Sequence, residues 1–318
     1  MTSRAVVTGG AGFIGSNLTD RLLAAGYEVL VVDSLVSGRL ANLESARQHE
    51  GFRFEQADIT DDATAALIAA SRPDVVFHLA AQADVRVSVA NPVLDATVNV
   101  VGTLKVLGAA VEGGARRFVA AASGGTLYGE VNPVDLPVAE TAPWLPLSPY
   151  GISKKVMIDY LRFAHEFQGL ETTSLALGNV FGPRQDPHGE AGVIAIFLQH
   201  YQAGTTPTIF GTGDQTRDFV YVDDVTAAFL AAATREGSGA VYNIGTGLET
   251  SVNDLVAAMN EVTGRVVVPT RAPARPGELD RSVLDVRAAG SALAWRPEVS
   301  ILDGMRRTWD WLTSTTST

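Results

Sequence analysis

Cysteine is absent from the 318 residues. That removes disulfides, a thiolate metal site and a cysteine nucleophile together. Histidine is sparse, and the five at positions 49, 78, 165, 188 and 200 show no metal-ligand spacing, so no metal is expected. Basic side chains are outnumbered: 24 Lys and Arg against 35 Asp and Glu leave a formal net charge of -11. A nucleic-acid partner, which wants a basic face, is therefore not expected. A phosphate ligand stays open, because a helix N-terminus and a few local arginines can hold one. No uninterrupted apolar run approaches the ~20 residues of a membrane span. Met1-Thr-Ser-Arg4 leads straight into a strand-like segment. The expectation is a cytoplasmic protein without signal peptide or membrane contact. Internal repeats are lacking, and only the Ser/Thr tail Thr313 to Thr318 is compositionally biased.

Hydrophobic residues make up 46% of the chain, which with its length permits a large core. Short apolar runs alternate with helical patterns through the first half. Ala5 to Val7, Glu28 to Val32, Phe52 to Ala57, Val75 to Leu79, Phe118 to Ala121 and Leu175 to Leu177 read as strands. Helices are expected from about Phe13 to Ala25 and Leu40 to Gln48. Two longer ones run from the cap pair Asn91-Pro92 to Gly113-Gly114, and from about Pro149 to Gln168 with a stop at Gly169. This alternation predicts an α/β fold with a doubly wound parallel sheet of Rossmann type. After Asn179 the loops lengthen and collect Pro183, Pro187, Pro207, Pro269, Pro273 and Pro276. Residues 1–178 are expected to bind the nucleotide. Residues 179–318 are expected to form a smaller substrate region, from which some strands return to the sheet.

Thr8-Gly-Gly-Ala-Gly-Phe-Ile-Gly15 lies between the first strand and the first helix. Gly10, Gly12 and Gly15 fit G-x-G-x-x-G, and Gly9, Gly12 and Gly15 fit G-x-x-G-x-x-G. Missing side chains tighten the turn, admit a pyrophosphate to the backbone and let helix pack on strand. Asp33 ends the second strand, near the ~20-residue offset of a ribose-binding carboxylate, and an acid there favours NAD over NADP. Asp58-Ile59 follows the third strand; from spacing alone an adenine contact and a strand-end turn are equally good readings. In His78-Leu-Ala-Ala-Gln82 small residues close the fourth strand and leave room for a cofactor.

Tyr150-Gly-Ile-Ser-Lys154 opens the second long helix, and its i, i+4 spacing puts phenol and ammonium on one face. A nearby positive charge favours the phenolate, which makes an acid/base usable at neutral pH. The spacing alone is common among exposed pairs; its place downstream of a dinucleotide fingerprint is what gives it chemical meaning.

With these motifs the chain resembles the extended short-chain dehydrogenases/reductases, and within them the UDP-glucose 4-epimerases. The resemblance also rests on Asn99, Leu127-Tyr128-Gly129, Asn179-Val-Phe-Gly-Pro-Arg-Gln185, Arg217-Asp-Phe-Val-Tyr-Val-Asp223, Asn243-Ile-Gly-Thr-Gly247 and Arg275-Pro-Gly-Glu278. It implies NAD held by Gly9, Gly12, Phe13, Ile14, Gly15, Asp33, Ser37, Gly38, Asp58, Ile59, Leu79, Ala80, Ala81, Gln82, Asn99, Tyr150 and Lys154. It implies a UDP-sugar substrate held by Val85, Thr126, Asn179, Phe210, Arg217, Arg275 and Glu278. Two arginines suit a diphosphate, and an amide suits ligand oxygens; Phe210 reads as a uracil neighbour or as a core residue. It further implies that Tyr150 takes the proton of the sugar 4-OH, that C4 gives hydride to NAD, and that the 4-keto sugar turns and takes hydride on its other face. A homodimer through the two long helices is implied as well, with Val98, Val101, Leu104, Met157, Leu161 and Phe163 among the apolar residues at hand.

Two positions depart from that pattern. A Ser or Thr is usual four residues before the tyrosine of the V-Y-G motif, and here that place is Gly124. Ser123, Thr126 or water is left to supply the hydroxyl, and Ser123 is the expected one. The usual aromatic before Asn179 is replaced by Leu177-Gly178, which opens space beside the nicotinamide. UDP-glucuronate 4-epimerase, with Arg86 or His188 meeting a carboxylate, and UDP-N-acetylhexosamine 4-epimerase are alternatives within the enzyme class. A 4,6-dehydratase would need an Asp-Glu pair where Gly125 and Thr126 stand. A non-catalytic NAD-binding protein is the alternative outside it.

Overall fold

The apolar runs of the first half assemble into one parallel sheet. The structure is a computed structural model and describes residues 2–188, 192–235, 239–275 and 279–315. In chain order the first elements are β1 (Arg4–Thr8), α1 (Phe13–Ala24), β2 (Glu28–Asp33), β3 (Phe52–Gln56), α2 (Asp62–Ala70) and β4 (Val75–His78). Next come α3 (Val85–Ala90), α4 (Pro92–Ala96), a π-helical segment Thr97–Gly102, and α5 (Thr103–Glu112). They are followed by β5 (Arg117–Ser123), the short α6 (Gly124–Leu127), α7 (Pro149–Gln168), β6 (Glu171–Leu177) and β7 (Asn179–Phe181). The later part carries α8 (Val193–Ala203), β8 (Thr208–Phe210), β9 (Thr216–Arg217), β10 (Phe219–Tyr221) and α9 (Val222–Thr234). It continues with β11 (Val241–Ile244), β12 (Thr250–Ser251), α10 (Val252–Thr263), β13 (Thr270–Ala272), α11 (Arg287–Leu293) and α12 (Ile301–Thr315).

The main sheet has seven strands in the order β11-β6-β5-β4-β1-β2-β3, every pair parallel. The order reverses between β1 and β4, and ligands of such sheets bind in the crevice at the strands' C-terminal ends there. One face packs Leu18, Leu22, Val31, Phe77, Phe229 and Trp295 into a core against α1, α9 and α11. The other packs Val76, Phe118, Val106, Met157, Ile158 and Leu161 against α2, α5 and α7. A third core, with Phe181, Phe197, Tyr201, Leu255 and Met305, joins α8, α10 and α12. β11 comes from beyond residue 179 and completes the edge of the main sheet through Val241↔Ser174 to Ile244↔Leu177.

Local chemistry explains the two long helices. Asn91 accepts the Leu94 N–H at 3.1 Å and Pro92 stands at the first helical position, as the cap pair predicts. Ser148 accepts the Gly151 N–H at 3.2 Å with Pro149 behind it, and Gly169 at φ 69° ends α7 in the left-handed region. Pro92–Glu112 is long and apolar enough to cross a membrane by length and composition, and 44% of its apolar window is buried inside the protein. Its inward face carries buried Asp95, Asn99 and Thr103.

The helix expected over 40–48 is replaced by two 3-10 turns, Leu40–Leu43 and Ala46–Gln48. The reason is tertiary. Arg39 N–H and the Asn42 amide both donate to the Ala11 carbonyl, at 3.0 and 2.9 Å, so the segment is tied to the glycine loop while Leu43 and Ala46 are buried. Helix α2 has no counterpart in the sequence reading.

Candidate active site

The glycine loop needs its glycines for close approach. Gly9 has φ 71°, and a Cβ there would lie 2.6 Å from the Ala80 amide nitrogen; one on Gly15 would lie 2.2 Å from the Gly9 carbonyl. Gly12 caps α1 with no side chain on its N–H groups, so Phe13, Ile14 and Gly15 open the helix with its positive end clear for a pyrophosphate. Asp33 is buried at the end of β2. Its Oδ2 accepts the Ala11 N–H at 2.9 Å and its Oδ1 the Leu35 N–H at 2.8 Å. A Cβ on Gly38 would meet Asp33 Oδ1 at 2.6 Å, so Gly38 lets the loop fold over the carboxylate, whereas Ser37 is exposed. This cradle fits a dinucleotide: backbone room, a free helix N-terminus and an acid for ribose hydroxyls.

Asp58 accepts both the backbone N–H and the hydroxyl of Thr60 at 2.8 Å, which is the strand-end turn weighed for it. Ile59 is buried beneath Gly102. Leu79, Ala80 and Ala81 leave β4 partly exposed toward the loop. His78 below them is buried. Its Nδ1 is 2.8 Å from the Thr8 hydroxyl and its Nε2 2.9 Å from that of Thr103, which in turn donates to the Asn99 carbonyl at 2.7 Å. That chain of donors places the ring proton on Nε2. Burial, with Lys154 close by, drops the imidazole pKa to about 3. Asn99 accepts the Gln82 N–H and donates to the Gln82 carbonyl, both at 2.8 Å, so it fixes the segment after β4.

Tyr150 and Lys154 share one face of α7, with Lys154 Nζ 5.7 Å from the Tyr150 ring centroid. The Tyr150 N–H donates to Ser88 Oγ at 3.2 Å. Lys154 is buried, and its Nζ donates to the Ala121 carbonyl at 2.9 Å. Burial lowers its pKa to about 8, against the opposing pull of Asp95. Ser123 ends β5 at the residue before α6, with no side-chain hydrogen bond to that helix. The Thr126 hydroxyl oxygen is buried without a hydrogen-bond partner. Gly124 lies under Leu284, and a Cβ there would stand 2.7 Å from Leu284 Cδ1 and 3.2 Å from the Ala176 carbonyl. That contact gives a physical reason for glycine at this position.

The residues expected at the UDP part fall on the small strand pairs. Asn179 and Arg217 stand at the edges of β7 and β9; the Asn179 N–H donates to the Asp218 carbonyl at 2.7 Å, and Arg217 pairs in register with Thr250. Phe210 and Arg275 come together, the guanidinium stacked on the ring. Val85 opens α3, and Glu278 lies outside the described residues. Of the two side chains considered for a uronate, Arg86 is ion-paired with Asp84 at 2.9 Å and His188 Nε2 is 3.0 Å from Gln199. The Arg217-Asp and Asn243-to-Gly247 motifs are joined by Asp218, which accepts the Thr246 N–H and hydroxyl at 2.7 Å, the Gly247 N–H at 3.0 Å and the Leu284 N–H at 3.3 Å.

Asp95 and Ser153 escaped the sequence reading. The signal was present as a stripe of polar residues, Asp95, Asn99 and Thr103, four apart in an otherwise apolar helix. Among the described residues no group of three or more His, Asp or Glu side chains could hold a metal.

The profile of the NAD dependent epimerase/dehydratase family matches residues 5–245. A UDP-glucose 4-epimerase of Mycolicibacterium smegmatis is 47% identical over 305 residues, 96% of this chain and 97% of that protein. The crystal structure of a UDP-glucose 4-epimerase from Thermotoga maritima, solved with UDP-glucose, superposes with a TM-score of 0.93 at 42% identity, covering 98% of this chain and 99% of that one. A UDP-glucose 4-epimerase of Thermus thermophilus, solved in complex with NAD, gives a TM-score of 0.88 at 42% identity, covering the same shares.

Proposed function

Because the chain belongs to the NAD-dependent epimerase/dehydratase family, we propose that it is a UDP-hexose 4-epimerase that interconverts UDP-glucose and UDP-galactose. The observation that carries this reading is the pairing of Tyr150 with buried Lys154 at the mouth of a parallel sheet whose glycine loop fits a dinucleotide. NAD, when bound, supplies the reversible hydride acceptor that lets C4 lose its configuration. Gly9, Gly12, Gly15 and Asp33 hold it, Tyr150 takes and returns the proton at the sugar 4-oxygen, and Lys154 keeps a positive charge beside the phenol. Phe210, Arg217, Arg275 and Asn179 anchor the UDP part while the hexose turns. Incubation of the purified protein with UDP-glucose tests the reading: UDP-galactose is the expected product, and its absence at every NAD concentration refutes it.

The protein works as a homodimer on this reading. Val93, Val101, Phe163 and Phe167 are exposed on the helices around 92–112 and 149–168, whereas Met157 and Leu161 are buried against their own sheet. Light scattering at micromolar concentration is expected to give twice the chain mass, and a monomer mass removes this part.

A further inference from the structure

Two buried charges of opposite sign lie near Tyr150, and neither has an ion-pair partner in contact among the described residues. Asp95, on α4, is fully buried. Its Oδ2 accepts the Ser153 hydroxyl at 2.5 Å, and its Oδ1 accepts the Asn99 amide at 2.9 Å and the Gln82 amide at 3.4 Å. All three donors are neutral. Lys154, the neighbour of Ser153 in α7, is 3% exposed, and among the described residues its hydrogen-bond acceptor is a carbonyl, that of Ala121. A buried carboxylate surrounded by neutral donors and a buried ammonium facing a carbonyl are each costly alone, and Asp95, bonded to the neighbouring Ser153, offsets part of that cost for Lys154 without ion-pair contact.

We propose that Asp95 is a positioning residue for the acid–base pair, its carboxylate sustaining the charge on Lys154 and, through the Ser153 hydroxyl, seating the N-terminal part of α7 against the segment after β4. The proposal rests on the reading of Tyr150 and Lys154 as the reacting pair. The titratable groups that face Lys154 are Tyr150 on its own helix, His78 from β4 and Asp95 from α4. His78 is neutral at working pH, so Asp95 is the negative charge in this group. It opposes the desolvation that lowers the ammonium's proton affinity. The same carboxylate grips Asn99 and Gln82, so the backbone beside the cofactor cradle and the base of the catalytic helix are held from one point.

The chain has only three lysines, Lys105, Lys154 and Lys155, so lysine labelled with carbon-13 at Cε gives three signals whose titration is read directly. Lys154→Met identifies the signal. In the NAD-loaded wild type it is expected to titrate well below an ordinary lysine, and in Asp95→Asn lower still by about one unit. The amide keeps the shape and an acceptor for Ser153 but turns its NH2 toward the Asn99 and Gln82 donors, so the melting temperature is read beside the titration and only the titration reports the charge. Ser153→Ala keeps the charge and is expected to leave the titration in place while lowering kcat. In Asp95→Asn the high-pH limb of kcat is expected to move down with Lys154, with KM for UDP-glucose within about twofold of wild type. An unchanged Lys154 titration in a folded Asp95→Asn protein overturns the proposal. A merely structural role would lower the melting temperature without moving either titration. If the wild type makes no UDP-galactose, the epimerase reading fails separately, since the lysine signal does not depend on turnover.

Discussion

The guanidinium carbon of Arg275 stands 3.8 Å above the centroid of the Phe210 ring. The two come from strands paired in parallel, β8 and β13, which align Phe210 with Ala272 and bring Arg275 back over the ring. A cation over an aromatic face is attracted by the ring quadrupole. The guanidinium thus covers one face of the ring, and the stack holds a planar positive charge and an aromatic side chain at one place, which suits a pyrimidine nucleotide.

Arg275→Ala and Arg217→Ala are therefore expected to weaken UDP binding by roughly 1.5–3 kcal/mol each, the value of a charge-assisted contact. NAD binding should change little. Calorimetric titration with UDP and with NAD separates the two, and unchanged UDP affinity in both variants takes these arginines out of the substrate site.

Tyr150→Phe keeps the ring and removes the hydroxyl to which the proposed function gives the proton exchange. Turnover is expected to fall by roughly 10²–10⁴-fold while UDP and NAD still bind. Near wild-type turnover in this variant would show that the proton travels by another route.

The hydroxyl near Gly124 can be assigned by three variants. Ser123→Ala is expected to lower kcat more than Thr126→Ala. Gly124→Ser restores a hydroxyl at the usual place but pushes into Leu284, so a loss of about 1–3 kcal/mol of stability is expected from overpacking. Leu284→Ala should cost less stability in the Gly124→Ser chain than in the wild type, read as the urea midpoint. A Gly124→Ser protein as stable as wild type denies the clash.

Buried His78 makes the fold acid-sensitive. Its pKa lies at about 3, below the ordinary 6.5, because burial disfavours the cation. A depressed folded value means that the unfolded chain binds the proton first. Stability is then complete above about pH 6.5 and is lost as pH falls toward 3. Between pH 7 and 5 this one group accounts for about 2 kcal/mol of lost stability. His78→Gln is expected to be less stable at pH 7 but flatter over that interval, and an identical slope for both proteins contradicts the assignment.

What is legible in the sequence is what short spacing encodes. The glycine fingerprint, Asp33, the Tyr150–Lys154 pair and the cap pair Asn91-Pro92 are local patterns whose geometry follows from a turn or a helix repeat. Four relationships are not local. Leu284 lies over Gly124, Asp95 under Ser153, Asn42 on Ala11, and β11 on β6. Each joins residues far apart in the chain, and no periodicity announces which distant residue arrives. The 40–48 segment shows the competition directly: its pattern suits a helix, yet bonds to the glycine loop hold it as two turns.

The placement of β11 bears on how the chain is made. β6 emerges during synthesis with β5 already available on one side, but its other edge stays open until Val241–Ile244 follow. At ~5–20 residues per second that interval lasts several seconds. Throughout it, the strand Glu171–Leu177, largely buried in the finished fold, offers unpaired backbone groups to a neighbouring chain. A ribosome paused between those two strands holds a chain with an open sheet edge, and a chain cut short there cannot close its own sheet.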